Sequence, residues 1–189
     1  MKQTTREYIL ALLRRSRMPA LIIAVAVALD QLTKHLAVLH LKGIATLPIW
    51  EGVFHLTYRT NTGAAWSIFS APDQRWIYMT ISTLGILAML GCILFWRDLS
   101  TLSRVGLAMM AGGGIGNMID RIANGFVVDM LDFCLINYPV FNIADCFVCI
   151  GAGVLVLAFL LEWRDELRTA KAKKEAALVA DSGDEEEGQ

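Results

Sequence analysis

Residues 112–145, GGGIGNMIDRIANGFVVDMLDFCLINYPVFNIAD, are the segment from which the rest of the chain is best understood. The segment joins two long apolar stretches, yet it contains four aspartates, four asparagines and one arginine. Four glycines also fall within residues 112–116. Packing between apolar helices does not require so many polar side chains, which are expensive near a membrane. We interpret this segment as the floor of an active site in which two aspartates act on a water molecule.

The composition is that of a membrane protein. Of the 189 residues, 56% are hydrophobic and 19% are charged, and the mean hydropathy is +0.51. A soluble domain contains fewer apolar and more charged residues. The length suits one compact unit. A net charge of −1 gives no indication of nucleic-acid binding, and the four cysteines, mostly in or beside apolar segments, do not suggest a disulfide framework.

Four segments are predicted to be membrane-spanning helices: residues 19–39, 76–96, 102–119 and 143–163. About 20 helical residues cross the hydrocarbon core of the bilayer. The basic N-terminus and the apolar run after it resemble a signal peptide, but the run is long enough to span and no small-residue cleavage site follows it. We therefore expect an uncleaved first helix. Trp76, Trp96 and Trp163 lie at span ends, where their rings favour the membrane interface.

The distribution of Lys and Arg predicts the orientation. Twelve of these residues lie in the two tails and the loop between the second and third spans, against four in the other two loops. By the positive-inside rule, both termini are cytoplasmic and residues 40–75 and 120–142 form outer loops. The expected organisation is a basic cytoplasmic tail (1–18), a membrane domain (19–163) and a cytoplasmic, largely disordered tail (164–189).

Both outer loops contain segments with the composition of strands. VFHLTY (53–58) and FVVD (126–129) are rich in aromatic and β-branched residues, and glycines at 52 and 63 flank the first. We expect them to form a small sheet on the outer membrane face. The predicted fold class is mainly α and integral to the membrane, with four transmembrane helices and a small extracytoplasmic β-sheet.

Two charged residues interrupt the first span. Asp30 and Lys34 are four residues apart and therefore share one helix face. A lone charge in mid-membrane costs a few kcal/mol, so the pair is expected to face the bundle interior. A structural ion pair between helices is the favoured interpretation, and a direct part in substrate handling is the alternative.

The third span presents a mixed face. Gly113, Asn117 and Asp120 share it, with Arg121 adjoining. Glycines let another backbone or an extended substrate come close, and by themselves they are explained by helix packing. The three polar residues together instead indicate a shell that supports a site.

The remaining acidic residues pose two choices. Asp129 and Asp132 are three apart in a strand-like segment, so they point to opposite faces, and periodicity does not decide which one faces the bundle. Asn142 and Asp145 are three apart at the start of the fourth span. Helix capping accounts for Asn142 as well as a catalytic shell does, but it accounts less well for Asp145, which falls inside the first turn.

Other hydrolytic and redox chemistries find little support. The sequence has no H-E-x-x-H or G-x-S-x-G motif, and its histidines share no metal-ligand spacing. Cys146 and Cys149 form a C-x-x-C on a membrane helix, without the βαβ context of a redox site. Carboxylate chemistry remains. Of two neighbouring carboxyls, one keeps a proton while the other is a base, and such a pair can activate water and protonate a leaving amine.

Five motifs occur in order: DQLTK (30–34), NTGAAW (61–66), GGIGNMIDR (113–121), GFVVD (125–129) and FNIAD (141–145). Each motif alone is weak, but the set at this spacing resembles the lipoprotein signal peptidase family of bacteria, also called signal peptidase II. The resemblance covers Asp30 to Asp145 and leaves out both tails.

The resemblance implies an aspartyl endopeptidase of the bacterial inner membrane that uses no metal or cofactor. Such an enzyme removes the signal peptide of a prolipoprotein by cutting just before a diacylglyceryl-modified cysteine. The expected partners are this substrate and membrane lipid, with no nucleic acid, and the chain is expected to act as a monomer. The antibiotic globomycin is expected to occupy the site.

The resemblance also assigns roles to residues of this chain. Asp129 and Asp145 become the catalytic dyad, and Asp30 with Lys34 becomes the structural pair. The outer strands become a β-cradle, and Ser67–Arg75 becomes an arm that closes over the substrate. The supporting polar shell comprises Asn61, Asn117, Asp120, Arg121 and Asn142, beside Gly113 on the same helix face as Asn117.

A proton-coupled transporter is the alternative from another class, because intramembrane acids also relay ions. A relay distributes acids through the bilayer depth, whereas Asp120, Asp129 and Asp145 are all expected at the outer face. Only Asp30 lies deep, and Lys34 neutralises it. A scaffold without chemistry leaves the polar cluster unexplained. The sequence therefore favours the peptidase.

Overall fold

A computed structural model describes residues 5–44, 46–63 and 75–186. The arm expected at Ser67–Arg75 lies outside the described residues except for Arg75, at which the second helix begins, and so do the last three residues of the NTGAAW motif. In chain order the elements are α1 (Thr5–His40), β1 (Leu47–Trp50), β2 (Phe54–Asn61), α2 (Arg75–Phe95), α3 (Thr101–Asn124), β3 (Val127–Asp132), a 3-10 turn (Cys134–Ile136) and α4 (Ile143–Glu186).

Three of the helices in the described part of the chain are long and apolar enough to cross a membrane, over Leu12–His40, Trp76–Phe95 and Ile143–Lys173. They include the spans expected at 19–39 and 143–163 and match the one expected at 76–96, except that α2 ends one residue early. The segment expected at 102–119 is helical, within α3, but is not among the three. Its glycines and polar residues make it less apolar, and α3 instead packs against all three other helices.

Two helices extend beyond the expected membrane domain. α1 is already helical at Thr5, within the predicted basic tail. α4 continues to Glu186, so residues 164–186 are helical in the structure where the sequence predicts a largely disordered tail. Ala, Glu and Lys make up 12 of the 23 residues 164–186. These strong helix formers let the fourth span continue as one helix, because extending an existing helix avoids the cost of nucleation.

Glycines bring the backbones of α3 and α4 into contact. A Cβ at Gly113 would collide with the carbonyl oxygen of Ala144 in the first turn of α4. A Cβ at Gly106 would lie 2.8 Å from the carbonyl oxygen of Gly151. The packing role considered for the α3 glycines is therefore confirmed at Gly113. This close contact fixes the start of α4 against the middle of α3.

The three strands form an antiparallel sheet in the order β1-β2-β3. The strands predicted around 53–58 and 126–129 are confirmed as β2 and β3, although β2 runs on to Asn61 and β3 to Asp132. Between β2 and β3, His55 pairs with Asp132 and Arg59 with Asp129, with an irregularity between Leu56 and Arg59. One face of the sheet packs on the end of α1 through a buried apolar cluster of Ala37, Leu41, Val128 and Met130.

A glycine turn connects α3 to β3. Gly125 ends α3 in the left-handed conformation, with φ 80°, and its N–H donates to the carbonyl of Arg121. Glycine adopts this conformation without a Cβ clash, which explains its use at helix C-termini. The chain then reverses within two residues and enters β3 at Val127. This turn places Asp129 beside the helix that carries Asn117.

Candidate active site

Asp129 and Asp145 reach one cavity from two different elements. Asp129 lies in the middle of β3 and is 3% exposed, and Asp145 lies in the first turn of α4. Asn142 joins them. Its Nδ2 donates to Oδ1 of Asp129 over 2.6 Å, and its backbone N–H donates to Oδ2 of Asp145 over 3.2 Å. The two carboxyls therefore flank a single, fully buried asparagine.

Asn142 and Asp145 also cap α4. The backbone N–H of Asp145 donates to Oδ1 of Asn142 over 3.0 Å, while the Asp145 carboxylate accepts from the Asn142 N–H. This reciprocal pair is a capping box. The expectation that capping explains Asp145 poorly is therefore wrong, because that carboxylate satisfies a backbone donor at the helix start. Its other oxygen remains directed to the cavity side and accepts from Asn117.

Asn117 links Lys34 of α1 to the carboxyl pair. Its Nδ2 donates to Oδ1 of Asp145 over 2.8 Å. Its Oδ1 accepts from Nζ of Lys34 over 2.9 Å and from Nδ2 of Asn142 over 3.1 Å. Because a lysine ammonium can only donate, the contact with Lys34 fixes which end of the amide faces Asp145.

Lys34 is the centre of a buried ion cluster beneath the cavity. Its Nζ lies 2.9 Å from Asp30 and 3.2 Å from Asp120. Gln31, which sequence reasoning missed, donates to the side chains of both acids. The other Asp30 oxygen accepts from the Ala144 N–H of α4 over 3.0 Å. The pair expected to join helices is thus found joining α1, α3 and α4.

Asp120 supports β3 and does not line the cavity. Its Oδ2 accepts from the backbone N–H of Val128 over 3.0 Å, one residue before Asp129. A buried carboxylate that accepts both this bond and the Lys34 contact fixes the strand against α3. Gly113 likewise stays outside the cavity, at the contact with Ala144.

Arg121 and Asn61 lie at the rim. Nη2 of Arg121 donates to the carbonyl of Gly63 over 3.2 Å, and its guanidinium lies 5.2 Å from the ring centre of Tyr78. Tyr78, also missed from sequence, donates to the carbonyl of Thr62 over 3.0 Å. Oδ1 of Asn61 accepts from the Gly63 N–H over 3.0 Å. These contacts hold the chain that leaves β2 against α2 and α3.

The cavity has a volume of about 580 Å³ and a polar floor with apolar walls. Asp129 and Asp145 share the floor with Asn117 and Asn142, and Asn61 and Arg121 line the cavity at its rim. Much of one wall is aromatic: Phe133 and Phe141 stack with ring centres 5.7 Å apart, and Tyr138 meets Phe141 edge-on. An extended apolar peptide segment can lie in such a groove with one of its peptide bonds against the two carboxyls.

Asp132 does not join this floor. It lies on β3, but its carboxylate accepts from the hydroxyl of Thr57 over 2.9 Å, and the residue is absent from the cavity lining. Strand alternation predicts this separation, since residues three apart face opposite sides. Of the two acids between which periodicity could not choose, Asp129 is the one that faces the cavity.

The pKa of Asp129 is raised to about 6, mainly by burial and in addition by the negative charge of Asp145. Hydrogen bonds from Asn142 and Asn61 and the positive charge of Lys34 act in the opposite direction. A carboxyl with such a pKa exchanges its proton near neutral pH, which suits general acid–base work. The fold and this carboxyl pair define the class: a helical membrane protein with the site of an aspartic hydrolase.

Comparison with known proteins identifies the family. A family model described as signal peptidase (SPase) II matches residues 22–161. The lipoprotein signal peptidase of Trichormus variabilis is 48% identical over 139 residues, which cover 72% of this chain and 85% of that one. That of Bacillus subtilis is 38% identical over 151 residues, 79% of this chain and 93% of that one. The chain belongs to the signal peptidase II family.

Solved structures support the same fold. A bacterial membrane enzyme determined by the in meso method superposes with a TM-score of 0.70 at 28% identity, covering 78% of this chain and 90% of that one. A second bacterial membrane enzyme gives a TM-score of 0.66 at 29% identity, covering 76% of this chain and 92% of that one. The chain is therefore a peptidase of the inner membrane with the expected helical fold and small sheet.

Proposed function

We propose that this protein removes signal peptides from prolipoproteins by cutting N-terminal to a diacylglyceryl-modified cysteine, with Asp129 and Asp145 as the catalytic dyad. The observation that carries the assignment is Asn142, whose side chain and backbone donate to the two carboxyls at once. An apolar groove ends at this pair, so the signal peptide and the lipid have an apolar surface on which to lie.

The reaction needs one ionised and one protonated carboxyl. The ionised carboxylate takes a proton from a water molecule as the water oxygen attacks the scissile carbonyl carbon. The protonated carboxyl gives its proton to the carbonyl oxygen, which forms a tetrahedral diol. The C–N bond then breaks, the amine of the modified cysteine takes one proton, and the pair returns to its starting state with one shared proton.

The supporting residues position this pair in the proposal. Asn117 and Asn142 hold the carboxyls, and Asn61 and Arg121 lie at the rim within reach of substrate carbonyls. Asp120 fixes β3, and Gly113 lets α4 start close to α3. Asp30 and Lys34 are structural, because they bind each other beneath the floor and Lys34 supports the carboxyl pair through Asn117.

The site is proposed to face the outside of the membrane, with both termini cytoplasmic. The excess of Lys and Arg in the tails supports this orientation. We further propose that the chain acts as a monomer in contact with membrane lipid, that Ser67–Arg75 closes over bound substrate, and that globomycin occupies the cavity. The domain over residues 19–163 then carries the whole site, and residues 164–189 take no part in catalysis.

The test is cleavage of a diacylglyceryl-modified prolipoprotein by purified protein in detergent. Asp129→Asn and Asp145→Asn are each expected to fold and to lose at least ~100-fold in rate, because each removes one proton-transfer partner. Asp132→Asn, in the same strand on the opposite face, is the matched control and is expected to keep most of the activity. Near-normal cleavage by either dyad variant would remove that residue from the pair.

A second measurement addresses the substrate. The same precursor without the diacylglyceryl group is expected to be cleaved poorly, because it lacks the lipid that the apolar groove accommodates. Efficient cleavage of the unlipidated precursor contradicts the substrate class while leaving the dyad intact.

A further inference from the structure

A cluster of metal-ligating side chains lies on the sheet, apart from the carboxyl pair. His55 of β2 and Asp132 of β3 are direct cross-strand partners. Cys134 follows two residues later, at the start of the 3-10 turn. One ligand atom from each residue, an imidazole nitrogen, a carboxylate oxygen and the thiol sulfur, lies within 4.8 Å of the others. All three residues are half-buried, so water and ions reach them.

This spacing is close to that of a bound zinc ion. Zinc bonds to nitrogen, oxygen and sulfur are about 2.0–2.3 Å long, and in tetrahedral geometry this places ligand atoms roughly 3.3–3.7 Å apart. The ligand atoms of His55, Asp132 and Cys134, all within 4.8 Å of one another, lie close to that spacing. The backbone also connects the ligands tightly, since two of them face each other across a strand pair and the third is near in sequence.

The hydrogen bonds that these three side chains already make are long or neutral. Nε2 of His55 accepts a long bond of 3.3 Å from the Gly52 N–H. Asp132 accepts from the Thr57 hydroxyl over 2.9 Å, an arrangement that orients a ligating carboxylate in metal sites. The Cys134 thiol makes a weak contact of 3.7 Å with the Asp132 carbonyl. A cation would therefore displace only weak or neutral hydrogen bonds.

We propose that His55, Asp132 and Cys134 form a binding site for one Zn²⁺-type divalent cation, with water in the fourth position. An imidazole, a thiolate and a carboxylate together favour zinc and its chemical relatives over magnesium and calcium, which prefer oxygen ligands. Binding releases the thiol proton, because the thiolate is the ligand. The ion is not part of the hydrolytic step, since it lies on the face of β3 opposite Asp129.

The ion would fix the wall of the substrate groove. Phe133 lies between two of the ligands in sequence, lines the cavity and stacks on Phe141. It also packs against Phe54, the neighbour of His55, with ring centres 5.0 Å apart. A bridge from β2 to the 3-10 turn therefore restrains this aromatic wall from behind.

The experiment titrates Zn²⁺ into the full chain, purified without a histidine tag, against a chromophoric chelator. We expect one ion per wild-type chain and a rise in melting temperature on binding. Cys134→Ser and His55→Ala are each expected to weaken binding at least tenfold, whereas Cys92→Ser in α2 is the matched control and is expected to bind as wild type does. Co²⁺ is expected to show thiolate-to-metal charge-transfer absorption that Cys134→Ser abolishes.

The carboxyl pair is the competing location for a divalent ion. The double variant Asp129→Asn/Asp145→Asn is therefore titrated in parallel, and it is expected to keep its zinc site. The proposal is overturned if wild type binds no ion, if binding survives Cys134→Ser unchanged, or if the double variant loses it. The Co²⁺ spectrum of wild type tests the thiolate ligand even if a ligand variant folds poorly.

Discussion

At the scale of single residues, Asp129 carries a testable pH signature. Its pKa of about 6 in the folded protein lies above its ordinary value of 3.8, so the folded state binds the proton more tightly than the unfolded state. The stability that this carboxyl contributes is therefore fully present below pH ~4 and is lost as pH rises through about 6, by up to ~3 kcal/mol.

Asp129→Asn removes the ionisation and keeps an oxygen that accepts from Asn142. The variant is expected to be more stable than wild type at pH 8, with the difference disappearing near pH 4. Denaturant unfolding in detergent at both pH values measures this. An equal difference at the two pH values would show that Asp129 does not hold its proton more tightly in the folded state.

Asn142 allows its two roles to be separated. Asn142→Ser keeps an oxygen that caps α4 but is too short to donate to Asp129, so the cap is expected to remain while cleavage falls at least ~10-fold. Asn142→Ala removes the cap as well and is expected to lose a further ~1 kcal/mol of stability. Melting temperature and cleavage rate measured on both variants test this. Equal stability of the two variants contradicts the capping role.

Most residues of the site could be identified from the sequence, but several residues that contact them could not. Strand alternation separated Asp129 from Asp132 correctly, because side-chain direction in a strand depends on sequence spacing alone. Which of the two faces the cavity depends on the side of the sheet on which α1 packs, and that is a tertiary property. Gln31 and Tyr78 gave no signal, because one amide and one aromatic residue on apolar helices look like ordinary interior residues.

At the scale of elements, the contact of α3 with α4 determines where Asp145 lies. Gly113→Ala is expected to push the first turn of α4 away, because the new Cβ meets the Ala144 carbonyl and the Val148 side chain. We expect a loss of ~1–3 kcal/mol in stability and a reduced cleavage rate. Gly153→Ala, on α4 and with nothing within 4 Å of the added Cβ, is the control and is expected to be neutral or stabilising. Similar effects of both changes would contradict the close packing.

The ion cluster beneath the floor is the second element-level feature. Lys34→Met leaves Asp30 and Asp120 buried without their cation, and we expect a loss of roughly 3–5 kcal/mol. Adding Asp30→Asn to this variant removes one of the two uncompensated charges and is expected to recover part of the loss. Unfolding midpoints of the single and double variants give the comparison. A single variant as stable as wild type would show that the cluster does not hold the helices together.

Elements themselves were more predictable than their pairing. β2 and β3 follow from composition, whereas β1 (LPIW) contains a proline and lies at the sheet edge, where a missing N–H is tolerated. The register cannot be predicted from composition, because it depends on the irregularity between Leu56 and Arg59. The cluster of His55, Asp132 and Cys134 could not be predicted for the same reason, since only that register brings His55 opposite Asp132.

At the scale of the whole molecule, orientation is the main proposal. A single cysteine at Glu51, exposed in the β1–β2 turn, is expected to react with a membrane-impermeant maleimide in intact spheroplasts. One at Glu166, exposed on α4, is expected to react only after lysis. Both are introduced into a chain whose native cysteines are replaced and whose cleavage activity is retained. The opposite labelling pattern would reverse the proposed topology.

The reciprocal hydrogen bonds of Asn142 and Asp145 determine when, during folding, the two carboxyls come together. Asp145, one of the two proposed catalytic carboxyls, is also part of the cap of α4, so the pair forms only when α4 has started and β3 has paired with β2. In a chain in which these elements have not yet formed, we expect the two proposed catalytic carboxyls to lie apart. We therefore expect the proposed hydrolytic activity to appear only with the assembled fold.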